Sequence, residues 1–242
     1  MPRSRVRGSL LRHLNQREVL AAIQAVGPLS RAEITRRTGI SGPTVTRTVA
    51  ALLRARLLEE GDLRRAPLGR PGKVLRLACK TASVLGLVVG AKHCEIVSAG
   101  LDGAIHPDHV VQFDTPARYV DMVKAIAREA RRLIDRRRIQ VFGLGVSMPG
   151  LLNRREKRTV FSPNLHQTDG RRLGEDLRKQ LRIETAILQE SHALCLAEQF
   201  YGAARGVSDF AMLDISEGLG VGVVNGGRIL EGHSGLGGEL GH

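Results

Sequence analysis

The sequence predicts an α/β protein in two parts, a basic helical head over residues 1–80 and an α/β body with a mixed sheet over residues 81–242. Three observations support this fold class. The net charge is +13, and the head holds 17 lysines and arginines against 5 acidic residues, whereas the body is nearly neutral. Short amphipathic helices separated by glycine and proline fill the head. In the body, aliphatic strands alternate with amphipathic helices.

The composition excludes several classes of protein. Hydrophobic residues make up 42% of the chain, and no apolar run approaches the roughly 18 residues that a membrane-spanning helix needs. No apolar segment follows the basic N-terminus, so no secretory signal is predicted. The cysteines form no CxxC pair, which predicts buried thiols in a reducing cytoplasm rather than disulfides or a metal site. They are Cys79, Cys94 and Cys195.

Residues 17–58 are predicted to form three helices. The first ends at Gly27. Its inward residues are Val19, Ile23 and Val26. The second begins with Ser30 and Glu33 at the spacing of a capping box, and it stops at Gly39, a residue that adopts the left-handed conformation easily.

The third helix follows a tight turn, with Ser41 as its predicted cap. Pro43 lies in its first turn, where the amide hydrogen that proline lacks would have no partner within the helix. Its inward residues are Val45, Val49 and Leu52. Two short helices joined by a tight turn are typical of a helix-turn-helix, whose second helix enters the major groove of DNA with its N-terminal end. The charge of the head favours this interpretation over a three-helix bundle without a ligand.

The predicted DNA-binding residues lie off the buried stripe of the third helix. Ser41, Thr44 and Arg47 can face bases or phosphates, since arginine suits the edge of guanine and hydroxyls suit either partner. Arg36 and Arg37 are expected at the DNA backbone. The full predicted set is Arg36, Arg37, Ser41, Pro43, Thr44, Arg47 and Arg70.

A β-hairpin wing is predicted after Leu58, in "EEGDLRRAPLGRPGKVLRLA". Its second strand has aliphatic residues at Val74, Leu75 and Leu77. Arg70, between a glycine and a proline, could enter a minor groove, where negative potential attracts arginine. A solvated hairpin tip is the alternative.

The body is predicted to follow the order β-β-α-β-α-β-α-β-β. Its first two strands, in "SVLGLVVGA" and "CEIVSAGLDG", end in a turn at Asp102-Gly103, and residues 119–138 form a long helix. The inward residues of that helix are predicted to be Val120, Val123, Ile126, Ala127, Ala130 and Ile134. The GxGxG spacing of residues 218–222, set among valines, indicates a strand with closely approaching backbones rather than a dinucleotide site.

Several motifs, in this order, resemble the ROK family, which contains sugar kinases and sugar-responsive repressors. In the body they are "GLGVSMPGLLN", "FSPNL", "ILQESHALCLAEQFYGAARG", "ISEGLGVGVVNGGRILEG" and "GLGGELGH". The head resembles the repressor branch in "PLSRAEITRRTGISGPTVTRTVAALLRARLLEE" and "LGRPGKVLRL". The resemblance implies a winged helix-turn-helix followed by an actin-like domain of two RNase H-like lobes, with sugar bound between them and the second lobe incomplete.

The resemblance also allows the sequence to be compared with the kinase and the regulator branches of the family. A kinase of this family would carry an acidic D-x-G-G near the first strand of the body, where this chain has Val88 and Ala91. Glu217 stands where a phosphate loop would carry a small hydroxyl residue, and a carboxylate repels phosphate. The expected Asn-Asp pair reads Gln189-Glu190, and the longer arm of Glu190 shifts the catalytic geometry. These departures predict a protein that is not an enzyme.

By the same resemblance, the effector is a sugar or sugar phosphate. The predicted effector-binding residues are Asn164, Gln189, Glu190, Glu239 and His242. His242 is also implied as the first ligand of a structural zinc, whose other ligands would be cysteines in a run just downstream. The chain ends before that run, so we expect a fragment or a truncated form, with no cofactor in this chain and zinc only in a longer one.

The sequence therefore predicts a sugar-responsive transcriptional regulator, most simply a repressor, that binds operator DNA as a homodimer or higher homo-oligomer. One alternative is an ATP-dependent sugar kinase with an appended DNA-binding head. Another is a DNA-binding module whose body only mediates dimerisation and takes no effector.

Overall fold

The computed structural model describes residues 3–64, 72–137, 140–215 and 218–232. The chain divides into two compact units. The first comprises residues 1–83 together with 99–104, and the second comprises residues 84–98 together with 105–242.

The first unit has the architecture of a winged helix. Its elements in chain order are α1 (Arg3–Val26), β1 (Leu29–Ser30), α2 (Arg31–Thr38), α3 (Gly42–Arg54), β2 (Leu58–Arg64) and β3 (Gly72–Leu77). Strands β1 and β2 both pair antiparallel with β3, which gives the order β1-β3-β2. The predicted three helices and the wing hairpin are confirmed.

The core of the first unit forms where the apolar stripes of the three helices meet the small sheet. Its buried residues are Val19, Ile23, Leu29, Ile34, Val45, Val49, Leu52, Leu58 and Leu75. The prediction that Val26 faces inward is wrong. Its side chain is 50% exposed, because α1 ends at this residue, past the part of the stripe that packs in the core. Helix α1 also begins at Arg3 rather than near Arg17, since the leucines and arginines between them favour a helix.

The second unit is an α/β domain. Its elements, from Ala82 onward, are β4 (Ala82–Val89), β5 (His93–Gly100), β6 (Ile105–Asp114), α4 (Tyr119–Arg137), β7 (Gln140–Met148), β8 (Leu151–Asn153), β9 (Arg158–Phe161), a 3-10 turn (His166–Thr168), α5 (Leu173–Leu181), β10 (Glu184–Gln189), α6 (Glu190–Tyr201), β11 (Phe210–Ile215), β12 (Leu219–Asn225) and β13 (Arg228–Ile229).

Five strands form the larger sheet, in the order β10-β7-β4-β5-β6. Strands β7 and β10 run parallel, with a register from Gly143 opposite Glu184 to Met148 opposite Gln189. The main core lies against this sheet, and α4 and α5 supply Met122, Ile126, Leu173 and Leu177 to it. Strands β11, β12 and β13 form a separate antiparallel sheet.

The predicted order of elements in the body omitted four strands, β6, β8, β9 and the two-residue β13. Strand β6 is an edge strand with polar residues and a proline, so it lacks the aliphatic pattern of a buried strand. Strands β8 and β9 are only three and four residues long. In α4, Val120 is 54% exposed rather than inward, because it lies in the first turn, ahead of the buried stripe that starts at Met122.

Residues 219–222 of the GxGxG segment lie on β12, as predicted, and Gly222 packs against α6. An added Cβ at Gly222 would meet the carbonyl oxygen of Ser191 at 2.6 Å and would also collide with the sulfur of Cys195. Glycine therefore permits the backbone of β12 to touch the first turn of α6 directly.

Candidate functional site

Local hydrogen bonds cap both ends of α2, the helix that precedes the turn to α3. The side chain of Ser30 accepts from the amide of Glu33 at 3.3 Å, and the amide of Ser30 donates to Glu33 Oε2 at 2.8 Å. The predicted capping box is thus present. Helix α2 ends at Gly39, which has a φ of 69° and donates its amide hydrogen to the carbonyl oxygen of Thr35. These bonds fix where α2 begins and where it ends.

The N-terminal part of α3 carries polar side chains on one face. Ser41 stands at the N-cap, but its hydroxyl bonds to Thr44 Oγ1 at 3.0 Å and makes no capping bond to an amide. Arg47 Nη2 donates to the same Thr44 oxygen at 3.5 Å. Ser41, Pro43 and Arg47 are exposed, and Thr44 is half-buried. The face opposite the Val45 stripe therefore presents the predicted DNA-binding side chains together.

Arg36 and Arg37 extend this basic surface from the last turn of α2, where both are exposed. Within the described part of the chain neither of them forms an ion pair, so both charges are available to an anion. Arg70 lies outside the described residues.

Two acidic residues of β2, Glu59 and Glu60, pair with cations of the same unit. Glu60 binds Lys73 Nζ at 2.7 Å and Arg31 Nη2 at 3.1 Å, and these hydrogen bonds lower the pKa of Glu60. Arg76 binds Glu59 at 2.6 Å. The carboxylates of Glu59 and Glu60 are thereby neutralised locally by cations of the same unit.

A second set of predicted residues gathers at the carboxyl ends of the parallel strands β7 and β10. Gln189 ends β10 opposite Met148, the last residue of β7. Glu190 begins α6 and is half-buried, while Gln189 is buried. Ligands in α/β domains bind outside the carboxyl ends of such strands.

The loop after β7 connects this edge to Asn164. Gly150 has a φ of 92°, and its Cα lies so close to residues 161 and 162 that an added Cβ would be 2.5 Å from the carbonyl oxygen of Phe161. Ser162 Oγ donates to the carbonyl oxygen of Pro149 at 3.2 Å. The structure thus joins the loop that carries Asn164 to the loop that follows Met148, beside Gln189.

Asn164 itself is exposed between the buried residues Ser162 and Leu165. Sequence reasoning assigned no role to three side chains of the same segment, Phe161, His166 and Asp169. His166 Nδ1 lies 3.2 Å from Asp169 Oδ2, and the rings of Phe161 and His166 are 5.5 Å apart. The signal available in the sequence was the i, i+3 spacing of a histidine and an aspartate immediately after the "SPNL" motif.

The first turn of α6 is rich in buried polar groups. Ser191 and His192 are buried, and Ser191 Oγ has no hydrogen-bond partner among the described residues. The other predicted effector residues, Glu239 and His242, lie outside the described residues, as does Glu217.

The described residues do not fit a zinc site. No group of three or more metal-ligating side chains occurs among them. The three cysteines are free and lie in separate parts of the fold. Burial raises the pKa of Cys94 and of Cys195, which disfavours the thiolate that zinc requires. In the same described ranges, no helix is long and apolar enough to cross a membrane.

The chain thus combines a winged helix-turn-helix unit with an α/β domain that has polar residues at the carboxyl ends of its parallel strands. Residues 84–242 match the ROK family, and residues 13–66 match the MarR family. The chain belongs to the ROK family, and the fold class predicted from the sequence is confirmed.

The chain is similar to curated repressors along almost all of its length. It is 26% identical over 236 residues to the xylose repressor of Bacillus spizizenii, which covers 97% of this chain and 61% of the relative. It is 24% identical over 237 residues to the N-acetylglucosamine repressor of Escherichia coli O157:H7, which covers 96% of this chain and 58% of the relative. The chain thus spans about 60% of the length of these relatives.

Two solved structures show the fold. A ROK family transcriptional regulator, homologous to the Escherichia coli MLC protein, superposes with a TM-score of 0.82 at 24% identity, covering 96% of this chain and 59% of that one. The ROK hexokinase of Thermus thermophilus has a TM-score of 0.58 at 30% identity, covering 66% of this chain and 52% of that one. The regulator matches both units, whereas the hexokinase covers only part of the chain.

Proposed function

We propose that this protein is a sugar-responsive, DNA-binding transcriptional repressor. The observation that carries the proposal is the exposed face of α3, where Ser41, Thr44 and Arg47 stand at the end of the helix that a helix-turn-helix directs into the major groove. The repressors to which the chain is similar along its length support it.

The roles of the DNA-facing residues follow from their chemistry. Arg47 is suited to bidentate contact with guanine, and it would give sequence preference. Arg36 and Arg37, at the end of α2, would bind phosphates and add affinity that does not depend on sequence. Release of counterions from the DNA makes the phosphate contribution strongly dependent on salt.

Selection of binding sites from a random duplex library tests the DNA-binding part of the proposal. Fluorescence anisotropy then measures the affinity for the selected duplex and for a scrambled duplex. Arg47→Ala is expected to weaken binding to the selected site by about 1–3 kcal/mol and to relax preference at one position. Arg54→Ala is the matched control, since it removes the same charge about 10 Å further along α3. No preference for any duplex at moderate salt would overturn the proposal.

The effector part of the proposal places a sugar at the edge formed by Asn164, Gln189 and Glu190. Amide and carboxylate groups pair well with sugar hydroxyls. Relatives named as xylose and N-acetylglucosamine repressors suggest which sugars to test. A ligand that binds only the folded state raises the melting temperature, so a thermal-shift titration with these sugars measures binding. Asn164→Ala should abolish the shift without lowering the melting temperature of the free protein.

A kinase function is disfavoured by the turn that follows β4. Val88 and Ala91 replace acidic and glycine positions that a ROK kinase would carry there. Gly90 donates to the carbonyl oxygen of His93 at 3.0 Å and closes the β4–β5 turn tightly. Incubation with ATP, magnesium and each sugar should therefore give no sugar phosphate.

We also propose that the protein acts as a homodimer, because helix-turn-helix proteins commonly read two half-sites about one helical turn of DNA apart. Light scattering after size-exclusion chromatography, with and without the selected duplex, measures this directly. A strictly monomeric protein that binds a single half-site would contradict it.

A further inference from the structure

Next to Asn164, the structure holds a histidine in a fixed orientation. His166 Nδ1 lies 3.2 Å from Asp169 Oδ2, and the other carboxylate oxygen of Asp169 accepts from the amide of Ser162 at 2.8 Å. An ionised carboxylate only accepts hydrogen bonds, so we assign the hydrogen of this bond to Nδ1. In the neutral imidazole this leaves Nε2 as a hydrogen-bond acceptor.

The pair is exposed, and its contribution to stability is correspondingly small. The side chain of His166 is 66% exposed and that of Asp169 is 31% exposed. Exposed contacts of this kind add little to the stability of a fold. Stability therefore gives little reason to keep this imidazole in one orientation.

An aromatic surface adjoins the histidine. The ring of Phe161 is 42% exposed and lies 5.5 Å from the His166 ring, with an angle of 50° between their planes. A large apolar ring left open to solvent beside polar groups is typical of ligand sites, where aromatic side chains supply contact area and a few polar groups fix orientation.

The short segment 161–169 is rigid enough to hold these groups together. Leu165 and Thr168 are buried, and Thr168 Oγ1 donates to the carbonyl oxygen of Leu165 at 2.8 Å. The amide of Asp169 donates to the carbonyl oxygen of His166 at 3.0 Å. Asn164, Phe161 and His166 therefore belong to one ordered surface.

Resting on the proposed sugar-binding function, we propose that Phe161 and His166 form a further subsite for an uncharged sugar. The apolar face of the sugar ring packs on Phe161, and one sugar hydroxyl donates to His166 Nε2. Asp169 acts as a positioning residue, because it orients the imidazole without reaching the ligand. Its carboxylate also disfavours a phosphate at this position.

A pair elsewhere in the same unit provides a matched control. His93 Nδ1 lies 3.1 Å from Asp114 Oδ1, and the His93 side chain is 51% exposed. His93→Ala removes a similar histidine–aspartate pair from a different strand. It should leave sugar binding unchanged.

Titration of the full 242-residue chain with D-xylose, D-glucose, N-acetyl-D-glucosamine and N-acetyl-D-glucosamine 6-phosphate tests the inference. For the sugar that binds, His166→Ala should raise the Kd roughly tenfold, as expected for the loss of one hydrogen bond. Phe161→Ala should weaken binding by a similar factor. His166→Gln, which keeps an acceptor, should recover part of the affinity.

Monodeoxy analogues of that sugar separate direct contact from a structural effect. One analogue should lose affinity with the wild type but lose nothing further with His166→Ala, because the two changes remove the same hydrogen bond. Equal losses in both backgrounds for every analogue would overturn the subsite, as would unchanged affinity of His166→Ala. Tighter binding of the 6-phosphate through His166 would overturn the uncharged assignment.

The same titration distinguishes failure of the inference from failure of the proposed function. If no sugar binds the wild type, the sugar site itself is wrong, and the subsite falls with it. If a sugar binds and Asn164→Ala abolishes binding while His166→Ala and Phe161→Ala do not, only the subsite is wrong.

Discussion

Replacing Gly150 by alanine should destabilise the second unit by a predictable amount. An added Cβ would lie 2.5 Å from the carbonyl oxygen of Phe161 and 2.7 Å from the Cα of Ser162. Both are backbone atoms, so the loop itself must move, and overpacking of this kind costs about 1–3 kcal/mol. The φ of 92° adds about 1–2 kcal/mol for a residue with a side chain.

The total expected loss is about 2–5 kcal/mol, a substantial share of a typical unfolding free energy of about 5–15 kcal/mol. At about 2–4 °C per kcal/mol, the melting temperature should fall by about 4–20 °C. Differential scanning calorimetry measures this fall. Because the displaced loop leads to Asn164, sugar affinity should fall as well.

The matched control for this substitution is Gly206→Ala. Gly206 has a φ of 81°, but an added Cβ there meets nothing within 4 Å. The Gly206→Ala variant therefore loses only the free energy of placing alanine in a left-handed backbone conformation. Its melting temperature should fall by about 2–8 °C. Equal falls for the two variants would show that close packing of the Gly150 loop contributes nothing and would refute the reasoning.

Three further predictions concern stability. Ser30→Ala removes the cap of α2 and should lower the urea-derived unfolding free energy by about 1 kcal/mol, and no change would contradict the capping box. Tyr119→Phe removes the 2.7 Å bond from the Tyr119 hydroxyl to Asp176 Oδ2, which should cost about 1–2 kcal/mol in the same assay; an unaltered midpoint would show that the bond is not formed in solution. Burial raises the pKa of the Cys94 thiol, so the folded state holds its proton more tightly than the unfolded state does. The resulting stabilisation is complete below the unfolded thiol pKa of about 8.5 and is lost as pH rises above it. The urea midpoint should therefore fall as pH rises above about 8.5, less steeply for Cys94→Ala, and identical pH profiles would argue against a buried thiol.

The head was predictable from sequence because its signals are local. A capping box, a left-handed glycine and an apolar stripe each depend on residues a few positions apart, and Ser30, Glu33 and Gly39 have the predicted conformations. The error at Val26 arose because periodicity defines the face of a helix but not where its packing partners end. Ser41 has the predicted position but bonds to Thr44, since a hydroxyl at an N-cap can choose between neighbours.

The candidate effector site was only partly predictable, because it is built from loops. Asn164, Gln189 and Glu190 were found through motif resemblance, while Phe161 and His166 carry no periodic signal. The edge strand β6 was missed for a related reason. An exposed, polar strand is defined by its neighbour in the sheet rather than by its own pattern of apolar residues.

The direct backbone contact at Gly222 has a mechanical consequence. No side chain separates strand β12 from the first turn of α6, so the two backbones are in direct contact. Close-packed groups move together rather than deform. A displacement of Glu190 would therefore also displace the antiparallel sheet of β11, β12 and β13. We expect a ligand that moves Glu190 at the strand ends to move this sheet as well.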